Sequence, residues 1–505
     1  MRSAIKGASI GRRAELIALG VIVIAAVALR AWGLDFGLPF PYHLDEPYLV
    51  EAARRMRQTG DLNPRFWDYP TLQIYAILGL IALRERFTDL IPWLASPPLD
   101  YLLGRSLNLV YVAVTIVASA ASARRLAGPA AGITAALLIA IAERHNLSSH
   151  FLKVDILTAC FASLTLFAAL RLAERPTWRA YLLAGIGVGL TTAGKYPAAT
   201  VAVSVIAAHV IATRGAWLTR APRLIVAGGV AIASFVAASP YTVLDFATFW
   251  SSFNNDIVAW AAGGHAGWEG DVVAMYARWL FLDNDAILAL LATVGIAVAA
   301  VHRDRLPIVA IAFPVVFAIE LTTLWTVRFP WYLLPIYPHL AVLAGYGLVG
   351  LWRVAGRAHV GARAAIGVAV VAGLAYQAAG SIDRSAALAS EDVRTTALRW
   401  IEANVPPGSH LVREGYTPLV PNGSIRVTDL WHAIDRPVSW YDEAEVDYVV
   451  LGNFLHGRYL RDPERYPVQA TAYRALIRRA ERVRRFEGSM LGSWGGQIDV
   501  YRIAR

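Results

Sequence analysis

The chain has 505 residues, 57% of them hydrophobic and only 17% charged, and its mean hydropathy is +0.47. Many apolar runs of about 15–20 residues, separated by short basic loops, exclude an ordinary soluble globule and describe a polytopic membrane protein. The net charge of +10 is concentrated in those loops; the positive-inside rule accounts for it, and no nucleic-acid module is needed. The single cysteine, Cys160, lies inside an apolar run and excludes an intramolecular disulfide.

In chain order, Leu16–Trp32 is the first predicted span. It follows Arg2, Lys6, Arg12 and Arg13 and has no small-residue cleavage site after it, so it reads as an uncleaved anchor with a cytoplasmic N-terminus. A long outer loop, residues 34–100, comes next. Within it Leu72–Leu83 is apolar but too short to cross a core of ~30 Å at 1.5 Å per residue, so it is expected to lie in or dip into the outer interface. The later spans are Tyr101–Ala123, Leu126–Ala142, Ile156–Leu170, Ala180–Gly194, Ala198–Thr213, Leu224–Val243, Ala286–Val301, Leu306–Val327, Trp331–Leu351 and Ala364–Ile382. With about eleven spans, the Arg-rich loops at Arg124/Arg125, Arg171/Arg175, Arg214/Arg220/Arg223, Arg303/Arg305 and Arg353/Arg357 all fall inside. The mixed-charge loops then all fall outside.

From Asp383 the character changes. EDVRTTALRWIEANVPPG reads as an acid-capped helix stopped by Pro406, Pro407 and Gly408. VDYVVLGNFL reads as a buried strand, YPVQATAYRALIRRAERVRRF as a basic amphipathic helix, and GGQIDVYRI as a closing strand. Residues 383–505 are thus expected to be a soluble α/β domain on the outer face, following an all-α membrane domain over 1–382.

The residues that carry chemistry gather on that outer face. Asp45 and Glu46 stand side by side just past the first span, and Asp68 follows in WDYP. A carboxylate held at a bilayer surface suits removal of a proton from an acceptor hydroxyl, and Asp45 is the candidate general base. Glu46 is a candidate for orienting it, and Asp68 for a second catalytic acid. The plainer alternative is that Asp45 caps the helix begun at Pro47, that Glu46 supports its first turn, and that WDYP is a turn. Arg105, Lys153, Lys195 and Arg328 sit at outer ends of spans, where a departing phosphate needs positive charge; snorkelling to the headgroups is the alternative. Lysine is rare, only Lys6, Lys153 and Lys195 in the whole chain, so a retained lysine marks a position where a compact ammonium is wanted. The glycines of GIGVGLTTAGKYP would let a lipid phosphate approach the backbone beside Lys195. His150 with Asp155, and His265, are candidate metal ligands or acceptor contacts, but none has tight metal-ligand spacing, and loop hydrogen bonding is the alternative. Glu320 lies within a predicted span, where a carboxylate is a functional candidate or a structural partner of an arginine.

The ordered set resembles the GT-C glycosyltransferases that use polyprenyl- or dolichyl-phosphate sugars, specifically family 39, with its protein O-mannosyltransferases and lipid A aminoarabinose transferases. Asp45–Glu46 in HLDEPY resembles the acidic pair that opens the family's first outer loop, and Lys195 in TTAGKYP its phosphate-binding lysine. RFPWYLLPIYPHLAVLAG resembles its late-helix motif. Asp68 in WDYP resembles a second acid before a proline, but Tyr69 stands where those enzymes carry a lysine. The resemblance implies inverting transfer from a lipid-phosphate sugar in the outer leaflet of the cell membrane to a protein, lipid or glycan hydroxyl, with Asp45 as base, and with Lys195 and Arg328 receiving the lipid phosphate. It implies no nucleotide-sugar site, no cofactor and no required metal. The alternative class is a lipid or glycan transporter or flippase, which predicts repeat symmetry and ionisable groups deep in several spans.

Overall fold

The computed structural model describes residues 11–258, 270–283, 285–356, 360–421 and 423–504. Two compact units divide the chain: residues 1–31 with 44–383, and residues 32–43 with 384–505. The first outer loop is therefore split, its first ten residues, 34–43, belonging with the C-terminal unit.

The first unit is helical. It opens with α1 (Arg12–Ala31), α2 (Asp45–Thr59) and α3 (Leu72–Glu85). α2 buries Glu46, Leu49, Val50, Ala53 and Met56 on one face, and Gly60 ends it in the left-handed conformation at φ 74°. α4 (Leu99–Ala127), α5 (Pro129–Ala140), α6 (Glu143–Ser149), α7 (Val154–Glu174) and α8 (Trp178–Thr192) follow. A 3₁₀ turn at Tyr196–Val201 leads into α9 (Ala202–Thr213). Next come α10 (Ala221–Ala238), α11 (Tyr241–Leu244), α12 (Phe246–Ser252), α13 (Val272–Phe281), α14 (Ala286–His302) and α15 (Ile308–Thr323). A second 3₁₀ segment, Pro330–Ile336, starts α16 (Tyr337–Ala355), and α17 is Val360–Ala389.

Each expected span overlaps helix, but the count of about eleven is not established. Among the described residues, seven helices are long and apolar enough to cross a membrane, or eight if the bent pair α13–α14 is one broken span. α5 has 12 residues, which rise only about 18 Å. The third expected span does not run unbroken from Leu126: α4 continues to Ala127, Gly128 turns at φ 89°, and Pro129 begins α5. α3 has 14 residues, too few to span, as its short apolar run implies.

The glycines before Lys195 are packing residues, contrary to the expected approach of a phosphate. A Cβ at Gly189 would lie 2.7 Å from Ser234 Cβ on α10, and one at Gly187 would lie 3.1 Å from Thr165 Cα on α7. Small residues let helix backbones approach closely where apolar burial between helices gives no driving force. α14 and α16 use the same device: a Cβ at Gly347 would come within 2.8 Å of Gly295 Cα.

The second unit is a five-stranded sheet flanked by helices. Its strands are β1 (His410–Glu414), β2 (Arg426–Leu430), β3 (Tyr448–Gly452), β4 (Ala480–Met490) and β5 (Ser493–Ile503), in the order β2-β1-β3-β5-β4. β2, β1 and β3 run parallel, whereas β5 is antiparallel to both β3 and β4. The expected basic helix is corrected here. Pro467–Arg478 is helical (α21, after α18 at Val393–Asn404, α19 at Val438–Glu443 and α20 at His456–Arg461), but ERVRRF belongs to β4. Cross-strand charge pairs explain the change: Arg485 pairs with Asp499 at 2.7 Å and Glu481 with Arg502 at 2.9 Å. The acid-capped helix is α18, where the Asp392 side chain accepts from Arg394 N–H at 3.0 Å. Fully buried Arg394 also donates to the Tyr42 carbonyl at 3.1 Å and lies 4.0 Å from the Tyr42 ring, binding the Trp32–His43 segment into this unit.

Candidate active site

Asp45 is the first residue of α2, and its side chain does not cap that helix; the N-cap position is Leu44 and makes no side-chain bond. Instead, Asp45 Oδ2 lies 3.3 Å from Lys153 Nζ and accepts from the Tyr69 hydroxyl at 3.4 Å. Lys153 stands at the N-terminus of α7 in extended backbone, and Asp155 is in that helix's first turn. Asp155 lies 3.7 Å from Lys153 Nζ and 2.9 Å from Lys195 Nζ. Asp45, Lys153, Asp155 and Lys195 thus form a charge-alternating chain drawn from three widely separated parts of the sequence. The rings of Trp331 and Tyr332 lie under the two ammonium groups, 4.2 Å from Lys153 Nζ and 4.0 Å from Lys195 Nζ.

Glu46, the other half of the acidic pair, points the opposite way. It is fully buried and grips Arg105 through both carboxylate oxygens, at 2.8 and 2.7 Å. Its Oε1 also accepts from the Leu152 N–H at 2.9 Å. Asn108 on α4 holds the same turn through the carbonyls of Ser149 and Phe151. Asp285 caps the start of α6, accepting from the N–H groups of Glu143 and Arg144 at 2.7 and 3.1 Å. The loop presenting Lys153 and Asp155 is therefore fixed from beneath. This corrects two expectations. Arg105 is not an open cation for a phosphate, because its guanidinium is wholly buried against Glu46, and Glu46 holds a loop rather than facing Asp45's partners.

A cavity of about 690 Å³ opens beside these groups, lined by Asp45, Asp68, Tyr69, Lys195, Tyr196 and Tyr332 on its polar side. Phe317, Leu321 and Trp325, on and just past α15, supply an apolar wall. The WDYP turn is held over it by the Tyr196 hydroxyl, which donates to the Trp67 carbonyl at 3.2 Å. Burial pulls the Lys195 ammonium below the usual lysine range, against the opposing pull of Asp155. Burial, with the Asp45 charge second, pushes the Tyr69 phenol well above its usual range, so it stays protonated and donates to Asp45.

The remaining candidates are dispersed. Arg328 donates to the Gly270 carbonyl and does not line the cavity. His150 is buried, with Nδ1 3.0 Å from the Asn146 carbonyl one helical turn back, which is the loop-bonding alternative. Glu320 accepts from the Thr200 hydroxyl at 3.0 Å and pairs with no arginine among the bonds described. His265 lies outside the described residues. Among those described, no group of three or more His, Cys, Asp or Glu side chains is arranged to hold a metal ion. Sequence reasoning missed Tyr69 as Asp45's partner and the two aromatic rings beneath the lysines. The signal was present in WDYP and FPWY, adjacent aromatics at predicted outer ends.

Residues 103–241 match the family profile of dolichyl-phosphate-mannose-protein mannosyltransferase. By sequence, no curated protein matches the chain. The fold is similar to that of ArnT from Cupriavidus metallidurans, with TM-score 0.54 and 15% identity over 96% of this chain and 98% of that one. A second structure of that protein, bound to undecaprenyl phosphate, gives TM-score 0.55 and 16% identity over 95% and 97%. The oligosaccharyltransferase of Archaeoglobus fulgidus gives TM-score 0.51 and 13% identity over 88% and 70%. The fold is that of the GT-C class.

Proposed function

We propose, with the GT-C fold as premise, that this chain is a membrane glycosyltransferase moving a sugar from a polyprenyl-phosphate donor to an acceptor hydroxyl on the extracytoplasmic face. One observation carries the reading: Asp45 and Lys195, far apart in sequence, line a single cavity with an apolar wall, and a second lysine, Lys153, pairs with Asp45 at 3.3 Å. A lipid-linked sugar needs that combination, with apolar surface for the first isoprene units and cations for the phosphate. The ArnT structure holding undecaprenyl phosphate supports the donor class.

In the proposed step Asp45 takes the proton from the acceptor hydroxyl. The acceptor oxygen forms a bond to the anomeric carbon from the face opposite the phosphate, which inverts that centre. The bond from the anomeric carbon to the phosphate oxygen breaks, and its electron pair stays on the phosphate. Lys153 and Lys195 stabilise that developing charge in a partly dry site, where electrostatic assistance is strongest. Tyr69 holds Asp45 in place.

The test is turnover of a panel of radiolabelled polyprenyl-phosphate sugars by the purified protein in lipid, wild type beside Asp45→Asn. One donor should be consumed, and the loss in Asp45→Asn should be 10²-fold or more, on the order expected for a general base. Equal turnover by both proteins removes Asp45 from the chemistry. No binding of any donor by folded protein would remove the transferase reading altogether.

A further inference from the structure

Asp45, in the proposed function, must accept a proton, yet it already sits in an ion pair with Lys153 at 3.3 Å. An ammonium at that distance stabilises the carboxylate and opposes its protonation. The conflict resolves if the pair is temporary. The two lysines are not held alike. Lys195 has a 2.9 Å contact to Asp155, whose side chain is 2% exposed. Lys153 is shared between two carboxylates at longer range, 3.3 Å to Asp45 and 3.7 Å to Asp155, and Asp45 is 30% exposed. The Trp331 ring 4.2 Å beneath Lys153 Nζ gives the ammonium a surface to move over without leaving the site. Its backbone cannot follow, because Glu46 and Asn108 fix the preceding turn.

We infer that Lys153 changes partners: it pairs with Asp45 before the donor arrives, the donor phosphate takes it on arrival, and only then can Asp45 accept the acceptor's proton. This rests on the transferase reading above. Among the described contacts, the other groups around Asp45 include the Tyr69 hydroxyl, Asp68, Asp155, Lys195 and Tyr332. The exchange imposes an order, donor before acceptor, and leaves a hydroxyl or water that arrives early facing a neutralised base.

The experiment uses full-length protein in lipid nanodiscs titrated with undecaprenyl phosphate, which carries the phosphate without the sugar and needs no acceptor. Asp45→Asn should bind this probe roughly fivefold or more tighter than wild type, the lower end of ordinary coupling between sites, because Lys153 no longer has to leave a partner. In a Lys153→Gln background the Asp45→Asn gain should vanish. The same gain in both backgrounds would mean that Asp45 merely repels the phosphate, and overturns the exchange, as does no gain at all. Should Lys153→Gln fail to fold, proton uptake on binding replaces it, measured calorimetrically in buffers of different ionisation enthalpy. Wild type should take up more protons than Asp45→Asn, and equal uptake overturns the inference. Turnover reports separately on the base: an Asp45→Asn protein that binds more tightly yet still transfers sugar sinks the base assignment and leaves the exchange standing.

Discussion

Asp45 and Glu46 are adjacent in sequence and opposite in role. On a helix, neighbouring side chains diverge by about 100°, so an acidic pair at a helix start cannot put both carboxylates into one cavity. The sequence shows the pair but not which member faces the cavity, because that depends on where Arg105 and Leu152 come to lie. The consequence is testable. Glu46→Ala leaves Arg105 buried without its partner and should lower stability by about 3–5 kcal/mol, as breaking buried pairs does. The measurement is thermal unfolding in detergent, with Asp45→Asn as a comparison expected near wild type. A small Glu46→Ala loss, equal to that of Asp45→Asn, would contradict the clamp. Lys195 gives a second test at this scale. Its charged form is the one that attracts phosphate, and burial lowers the pH at which that charge is lost. Binding of undecaprenyl phosphate should therefore fall with rising pH at a midpoint below the ~10.4 of a free lysine. Lys195→Arg should keep binding through that range, since guanidinium stays charged; parallel loss in both proteins would place the titration elsewhere.

Among the elements, the helices were legible and their breaks were not. Apolar periodicity located α1, α4, α7, α10 and α16 well, because lipid demands a run of apolar residues whatever the neighbours are. It could not show that Gly128 and Pro129 divide a span, since both residues also occur inside membrane helices. Nor could it tell glycines that face a ligand from glycines that face a helix. In α8 they face α7 and α10, and a pattern read along one helix carries no information about its neighbours. ERVRRF failed similarly: its alternation is brief, and only pairing with β5 makes it a strand. The α14–α16 contact yields the prediction for this scale. Gly347→Val forces two close backbones apart and should cost about 1–3 kcal/mol, as overpacking does. An equivalent Val at Gly228, whose added Cβ meets nothing within 4 Å, should cost far less. Equal losses in a thermal-unfolding comparison would show that helix propensity, not interhelical contact, sets the effect.

For the whole molecule, sidedness decides whether the candidate site and the basic loops are separated as the proposed transfer needs. The expected parity places Arg125, Arg214 and Arg303 on one face and Asp61, Asn63 and Asn254 on the other. Charge alone supports this, because the first group lies in arginine-rich loops and the second in loops of mixed charge. The short helices α5 and α15 make the parity worth measuring, since losing a single crossing inverts every loop after it. The chain suits the experiment: Cys160 is the one cysteine and is buried, so a Cys160→Ala background with single cysteines introduced at Asp61, Arg125, Arg214, Asn254 and Arg303 reports each loop separately. A membrane-impermeant thiol reagent on intact cells should label positions 61 and 254 at once, and positions 125, 214 and 303 only after permeabilisation. Labelling of 61 and 125 together would place α4 in the membrane without crossing it. Labelling of 214 with 254 would do the same for α10. Labelling of 125 or 214 on intact cells would break the parity that puts Asp45 and Lys195 on one face, and their 690 Å³ cavity would have to be read as a packing feature, not as the entry point of a lipid-linked sugar.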